Sequence, residues 1–261
     1  MAEARKWRMW AKRLTWAAAI LSIGAVAAAL IGAIGSGQEW WHFRAGFAAL
    51  RYSFFAAAAG GVLAIAGIVV ARRAAPRLIL ANILFLLIAG GYCFFLYSQY
   101  QTAQAAAPIH DVTTNLEDYP RFYRLIVRDD NLAVVPAQGR PELEALAPRE
   151  RWKAIHREAY PDLRTVRVSW SVEEAVRRAE ALARERGWEV VTVDSKEGVV
   201  EAVDTSRFFR FKDNVIVRVR PLFDNSGSMI DMRSISRVGV SDIGANARRV
   251  REFLADLQAG G

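Results

Sequence analysis

Three long runs of this chain contain no charged residue, and runs of that length leave few folds open. Leu14 to Gln38, Tyr52 to Ala71 and Leu78 to Tyr97 are each free of Asp, Glu, Lys and Arg. A helix needs about 20 apolar residues to cross the hydrocarbon core of a bilayer. In lipid the backbone must satisfy its own hydrogen bonds, so each run is expected to be helical. The expected spans are about 14–35, 52–71 and 78–98. The first is too long for a cleaved leader and two more follow it.

Charge is segregated along the same boundary. Residues 1–103 carry ten Lys/Arg against two acids, whereas 104–261 carry 25 of each, so the whole net charge of +8 belongs to the first part. The basic excess flanks the apolar runs and therefore reads as a topology signal, not a nucleic-acid footprint. Five bases precede the first run, two lie in 36–51 and three in 71–77. The positive-inside rule then places the N-terminus in the cytoplasm of a bacterial inner membrane, and the domain from 104 onward outside it. Trp7, Trp10 and Trp16 suit one membrane interface, Trp40 and Trp41 the other. The spans are rich in Ala and Gly, which lets helices approach closely. Packing of the three spans on one another is the plainer use of these residues; a homo-oligomer or protein partner is the other. Without an Asp, Glu, Lys or Arg near a span centre, transport of ions or protons is disfavoured. The single Cys93 excludes an internal disulfide.

The second part, 104–261, reads as an α+β domain. Segment 110–140 is rich in turn formers and reads as loop, with a short piece at Phe122–Val127. Pro141 and Pro148 suit first helical turns, and a helix is expected over 149–159. Ser171 with Glu174 forms a capping box ahead of an apolar face at helical spacing, which Gly187 ends. Four strand-like runs follow, Trp188–Val193, Gly198–Arg207, Asn214–Leu222 and Ser228–Arg237, with short breaks that imply an antiparallel meander. Ser241 is expected to cap a last helix. The expected architecture is three transmembrane helices, then a four-stranded antiparallel sheet with helices on one face.

His110-Asp111-Val-Thr-Thr-Asn, Ala159-Tyr-Pro-Asp, the run Arg207-Phe-Phe-Arg-Phe-Lys-Asp-Asn-Val-Ile-Val-Arg218 and the run from Arg233 through Ser-Ile-Ser-Arg-Val-Gly-Val-Ser-Asp-Ile-Gly to Arg249 resemble domain of unknown function family 1499, over roughly 108–258. The resemblance implies a bacterial membrane or envelope setting and implies no activity.

Candidate residues are few. His110 and Asp111, with His42, are too sparse for a metal site, so no metal or cofactor is expected; Asp111 reads as a turn cap through Thr113 or Thr114. Arg207, Arg218, Arg233 and Arg237 are bases of the sheet and read either as a solvated cross-strand ladder, with Arg218 or Arg233 facing Asp231 or Asp204, or as an anion cradle. Arg237 leads through Gly239 to Ser241 and Asp242 at a helix start, where an anion or Asp242 itself can satisfy free N–H groups. Arg248, Arg249 and Arg251 read as a solvated helix face. Neither Gly-x-Ser-x-Gly, His-Glu-x-x-His nor a phosphate-binding glycine loop occurs.

Three functions remain. The first is an envelope interaction or scaffold module. The second is a lipid or apolar-ligand binder, expected to line a cavity with Trp170, Trp188, Phe208, Phe209, Phe211 and Phe223. The third is an enzyme at the outer face, expected to bring His110, Asp111, Arg237, Ser241 and Asp242 within hydrogen-bond reach.

Overall fold

The chain is described by a computed structural model over residues 2–260. It forms two compact units: residues up to Thr102 together with Arg207–Arg210, and Ala103–Ser206 with the chain from Phe211 onward.

The first unit holds α1 (Ala2–Gly37), α2 (Phe43–Ala74), a 3-10 turn (Pro76–Leu78) and all but the last three residues of α3 (Ile79–Ala105). All three long helices are long and apolar enough to cross a membrane. Its small residues are used for contact between helices. A methyl added at Gly32 would lie 2.6 Å from the Ala49 Cβ, and one at Gly60 would lie 2.7 Å from the Ser22 Oγ. Two polar pairs join neighbouring helices inside the bundle, where apolar surroundings make such bonds favourable. Asn82 Nδ2 donates to Thr15 Oγ1 at 2.8 Å, and the Ser53 and Tyr92 hydroxyls share a bond of 2.6 Å. Trp41, expected at a membrane interface, turns its indole N–H to the Gly32 carbonyl at 3.1 Å and so braces the bundle. His42, the proposed companion of His110, caps α2 by accepting from the Arg44 N–H.

The second unit is an antiparallel sheet with helices on one face. Its elements are β1 (Asp111–Thr113), α4 (Pro141–Glu144), α5 (Pro148–Ala159), β2 (Val166–Val168), α6 (Val172–Glu185), β3 (Glu189–Asp194), β4 (Val199–Thr205), β5 (Lys212–Pro221), β6 (Ser228–Ser236) and α7 (Ala245–Ala259). The expected meander is present as β3-β4-β5-β6, and the sheet has six strands, not four. β1 pairs with Arg233–Ile235 and β2 with Ser228–Ile230, both on the outer side of β6. Each is three residues long, too short for an alternation to register in sequence.

Alternation along the strands divides the sheet into two unlike faces. Val200 and Ala202, Val215, Val217 and Val219, and Ile230 and Met232 point to the helices, where they pack with Trp152, Val176, Val250 and Phe253. Each large side chain so buried contributes about 1.5–3 kcal/mol. Trp188 stacks on Phe253 with ring centroids 5.0 Å apart. The Ser171 cap on α6 is as expected, with Oγ accepting from the Glu174 N–H at 3.2 Å.

The start of α7 differs from expectation. The helix begins at Ala245, and its N-cap is Gly244 with φ of 74°. Ile243 also has positive φ, 57°, a conformation bulky residues rarely adopt. Asp242, not Ser241, holds this turn, by accepting from the N–H groups of Gly244 and Asn246. Ser241 Oγ donates to the Ala107 carbonyl at 3.2 Å and accepts from the Ile243 N–H.

Candidate functional site

The opposite face of the sheet carries the charges. Register places Glu201, Ile216, Arg233 and Thr113 in one row, and Val203, Asn214, Ile235 and Asp111 in the next. Segment 115–131 covers these rows. The expected solvated ladder is therefore buried, since a loop far away in sequence lies over it.

Asp111 is not a turn cap. It sits in β1 with 0% exposure and accepts two bonds from Arg233, Nε at 2.9 Å and Nη2 at 2.6 Å. Arg233 also donates to the Pro120 carbonyl at 3.1 Å, and its guanidinium stacks 4.3 Å from the Tyr119 ring centroid. Asn131 Nδ2 donates to Asp111 at 2.6 Å, which turns Asn131 Oδ1 toward His110 Nε2, 3.0 Å away. His110 Nδ1 faces the Val240 carbonyl at 3.1 Å. His110 is thus a strut between the 128–131 turn and the 237–244 turn.

A second buried acid, Asp231, accepts from Thr165 at 2.6 Å, Thr114 at 3.2 Å, Arg218 at 2.8 Å and Arg220 at 3.2 Å. The Arg218–Asp231 cross-strand pair is as expected. Arg220 and Arg218 also meet Asp118, and the hydrogen bond from Arg220 holds the Asp118 carboxyl below its usual range. A third acid, Glu201, is fully buried and accepts the backbone N–H groups of Tyr123, Arg124 (3.0 Å) and Leu125 (3.0 Å). One carboxylate therefore fixes three consecutive residues of the covering segment, where a short secondary-structure piece was expected. Arg249 is not solvated: it pairs with Asp204 at 2.8 Å and Asp213 at 2.6 Å. Asp204 thus goes to α7 and not to a neighbouring strand. Asn246 ties the start of α7 to the sheet through the His110 carbonyl and Ser236.

His156 on α5 accepts the Thr113 N–H at Nε2, 3.1 Å away. Burial pushes its pKa down from 6.5 to about 4, against a smaller opposing pull from Asp111. The unfolded state therefore binds more protons than the folded one between those values. Stability is full above pH 6.5 and falls as pH drops toward 4, by on the order of 3 kcal/mol. Melting of the full-length protein between pH 7.5 and 4.5 is expected to show this slope, and His156→Gln is expected to flatten it.

A cleft opens on this face, with a volume of about 430 Å³ between segment 124–128 and the ends of β5 and β6. Leu125, Val127 and Ile235 give it apolar walls, and Arg124, Arg128 and Arg237 line it. The three arginines are not equivalent. Arg128 is neutralised by Asp130 at 2.5 Å and donates to the Gly239 carbonyl. Arg237 gives Nε to Asn214 Oδ1 at 2.7 Å, and neither Arg237 nor Arg124 has a carboxylate partner among the described residues.

The other candidates lie apart from this cleft. Arg218 and Arg233 are committed to the buried network. Arg207 lies in the β4–β5 turn within the first unit, over the Phe208 ring. The side chains of His110 and Asp111 are bridged by Asn131, while Ser241 and Asp242 serve the turn before α7. Of the aromatic residues expected in a cavity, Trp188 is in the core, Trp170 lies under Arg178 and Phe223 is fully exposed, so these three share no pocket. Among the described residues, no three His, Cys, Asp or Glu side chains are grouped as metal ligands. Sequence reasoning missed Asn131, Glu201 and Asn246. Glu201 had a legible signal, being a lone acid inside the apolar run Val199–Val203; the two asparagines had none.

A family model described as protein of unknown function (DUF1499) matches residues 104–257, well over half of the chain. No curated protein matches it.

Proposed function

We propose, for a chain that belongs to the DUF1499 family, that it is a membrane-anchored binding module of the cell envelope. The observation that carries this reading is the unequal use of charge on one sheet face. The buried acids Asp111, Asp231 and Glu201 are each saturated by donors from the domain itself, an arrangement that holds a structure and leaves none of the three free to act as a base or nucleophile. Arg124 and Arg237 are instead left without a countercharge beside a concave surface, where an external group can supply one. An enzyme reading is weaker, because His110 has both ring nitrogens engaged and Ser241 Oγ is bonded to backbone.

The binding reading is tested by hydrogen exchange of the full-length protein. Peptides covering 124–128 and 235–237 are expected to exchange about tenfold faster after the native membrane is stripped with detergent and the protein is gel-filtered. Unchanged exchange there counts against a bound group in the cleft.

The placement we propose is multi-pass in a bacterial inner membrane, N-terminus cytoplasmic and domain outside, on the support of the basic tail and the basic 71–77 connection. A periplasm-dependent reporter fused to the C-terminus is expected to be active and a cytoplasm-dependent one silent; the reverse pattern would overturn the orientation. A protein partner or second copy within the bilayer would find most room on α3, which buries only Asn82 and Ala89.

A further inference from the structure

Building on the binding-module reading, we propose that the occupant of the 124–128 cleft is an anionic lipid, its acidic head between Arg124 and Arg237 and the start of an acyl chain on Leu125 and Val127. The cleft volume, about 430 Å³, is within the range of roughly 300–1,000 Å³ that small-ligand sites occupy. The two guanidinium groups without a carboxylate partner supply the charge complement, and arginine presents its donors in a fork that matches phosphate oxygens.

Competing ligand chemistries fit this surface less well. A peptide adding to the sheet needs free main-chain N–H groups on β6 and its extension, and those at 235–237 are already used. Ile235 lies between Asp111 and Asn214 in the ladders, the Ser236 N–H goes to the His110 carbonyl, and the Arg237 N–H goes to the Lys212 carbonyl. Base or sugar recognition needs side-chain donors and acceptors. The one amide in the cleft, Asn214, is taken on both ends, by the Ile126 carbonyl and by Arg237 Nε. A small free anion would leave the apolar walls wet. An acyl chain covers them, and further exposed apolar side chains belong to the segments that wall the cleft or directly follow it. Ile126 is 87% exposed, and Val238 and Val240, which follow Arg237 in the chain, are 40% and 44% exposed. Apolar groups so placed beside unpaired arginines match a ligand with a charged head and an apolar body.

The test uses the full-length protein in dodecyl maltoside. Dihexanoyl-phosphatidylglycerol, dihexanoyl-phosphatidylcholine and inorganic phosphate are titrated separately, and hydrogen exchange is read at peptides covering 124–128 and 235–237. Phosphatidylglycerol is expected to protect both peptides and phosphatidylcholine at least about tenfold less well. The double variant R124Q/R237Q is expected to weaken the phosphatidylglycerol effect by about tenfold or more, with near-ultraviolet dichroism unchanged; R124K/R237K is expected to lose less. Equal protection by both lipids, or protection kept in R124Q/R237Q, overturns the inference. Protection by phosphate equal to that by phosphatidylglycerol makes the site one for a soluble anion, which ends the lipid inference and leaves the binding reading standing. If no probe protects the cleft and stripping the native membrane also changes nothing there, both readings fall.

Discussion

Asp111→Ala is expected to lower the stability of the soluble domain by about 3–5 kcal/mol, the usual cost of removing one member of a buried ion pair. The cost comes mostly from what remains. Arg233 has 5% exposure and would keep a full charge away from water, with the Pro120 carbonyl and the Tyr119 and Phe122 rings to face. Asn131 would lose the acceptor that orients it, and through it His110 would lose a defined partner. Thermal melting of the full-length protein in detergent, followed by near-ultraviolet dichroism, is expected to show a drop of roughly 10 °C or more for a domain of this size. Asp111→Leu combined with Arg233→Met is expected to recover much of the loss, because a buried pair and a well-packed apolar pair of similar volume are often close in stability. A drop below about 1 kcal/mol for Asp111→Ala would show that the pair is open to water and that the face is the solvated ladder the sequence alone implies.

Glu201→Ala is expected to have the second largest effect, and it is local as well as global. Three consecutive N–H groups lose their common acceptor at a site with no exposure. Each buried donor left unpaired costs about 1–3 kcal/mol, so a loss on the order of 3 kcal/mol is expected even after partial relaxation. The amides of Tyr123, Arg124 and Leu125 are expected to exchange about 100-fold faster, since segment 121–128 would open without the whole domain unfolding. Because this segment walls the cleft, retention of an anionic lipid is expected to fall with it. Glu201→Gln keeps the shape and one acceptor oxygen, and is expected to lie between. Unchanged exchange at these three amides in Glu201→Ala would mean that other contacts hold the segment.

Both predictions concern bonds between residues far apart in the chain, and this separates the legible part of the protein from the rest. The three long apolar helices were readable because a helix long and apolar enough to span a membrane is specified by a contiguous run of about 20 uncharged residues, a local property. The same holds for α6, whose Ser171 cap and Gly187 stop are a few residues from what they control, and for the meander, whose short breaks force antiparallel neighbours. The roles of the charged residues were not local. Asp111 and Arg233 are 122 positions apart, and Glu201 is 77 positions from the Arg124 amide it accepts. Alternation correctly placed Arg218 and Arg220 opposite the valines of β5, and Asp231 and Arg233 on one face of β6, but it carries no information about what lies over that face. Covering by segment 115–131 turned an expected solvated ladder into a buried network. It also committed Arg233 to Asp111 and left Arg237, two strand positions beyond Ile235, without an acid. The helix start was misassigned to Ser241 for a related reason, since two successive left-handed residues, Ile243 and Gly244, delay α7 until Asp242 can bond to it. Periodicity and capping are settled within a turn or two of chain, so sequence suffices for them. Which buried charge meets which partner depends on loop closure over the sheet, and that is decided only when the distant segments pack.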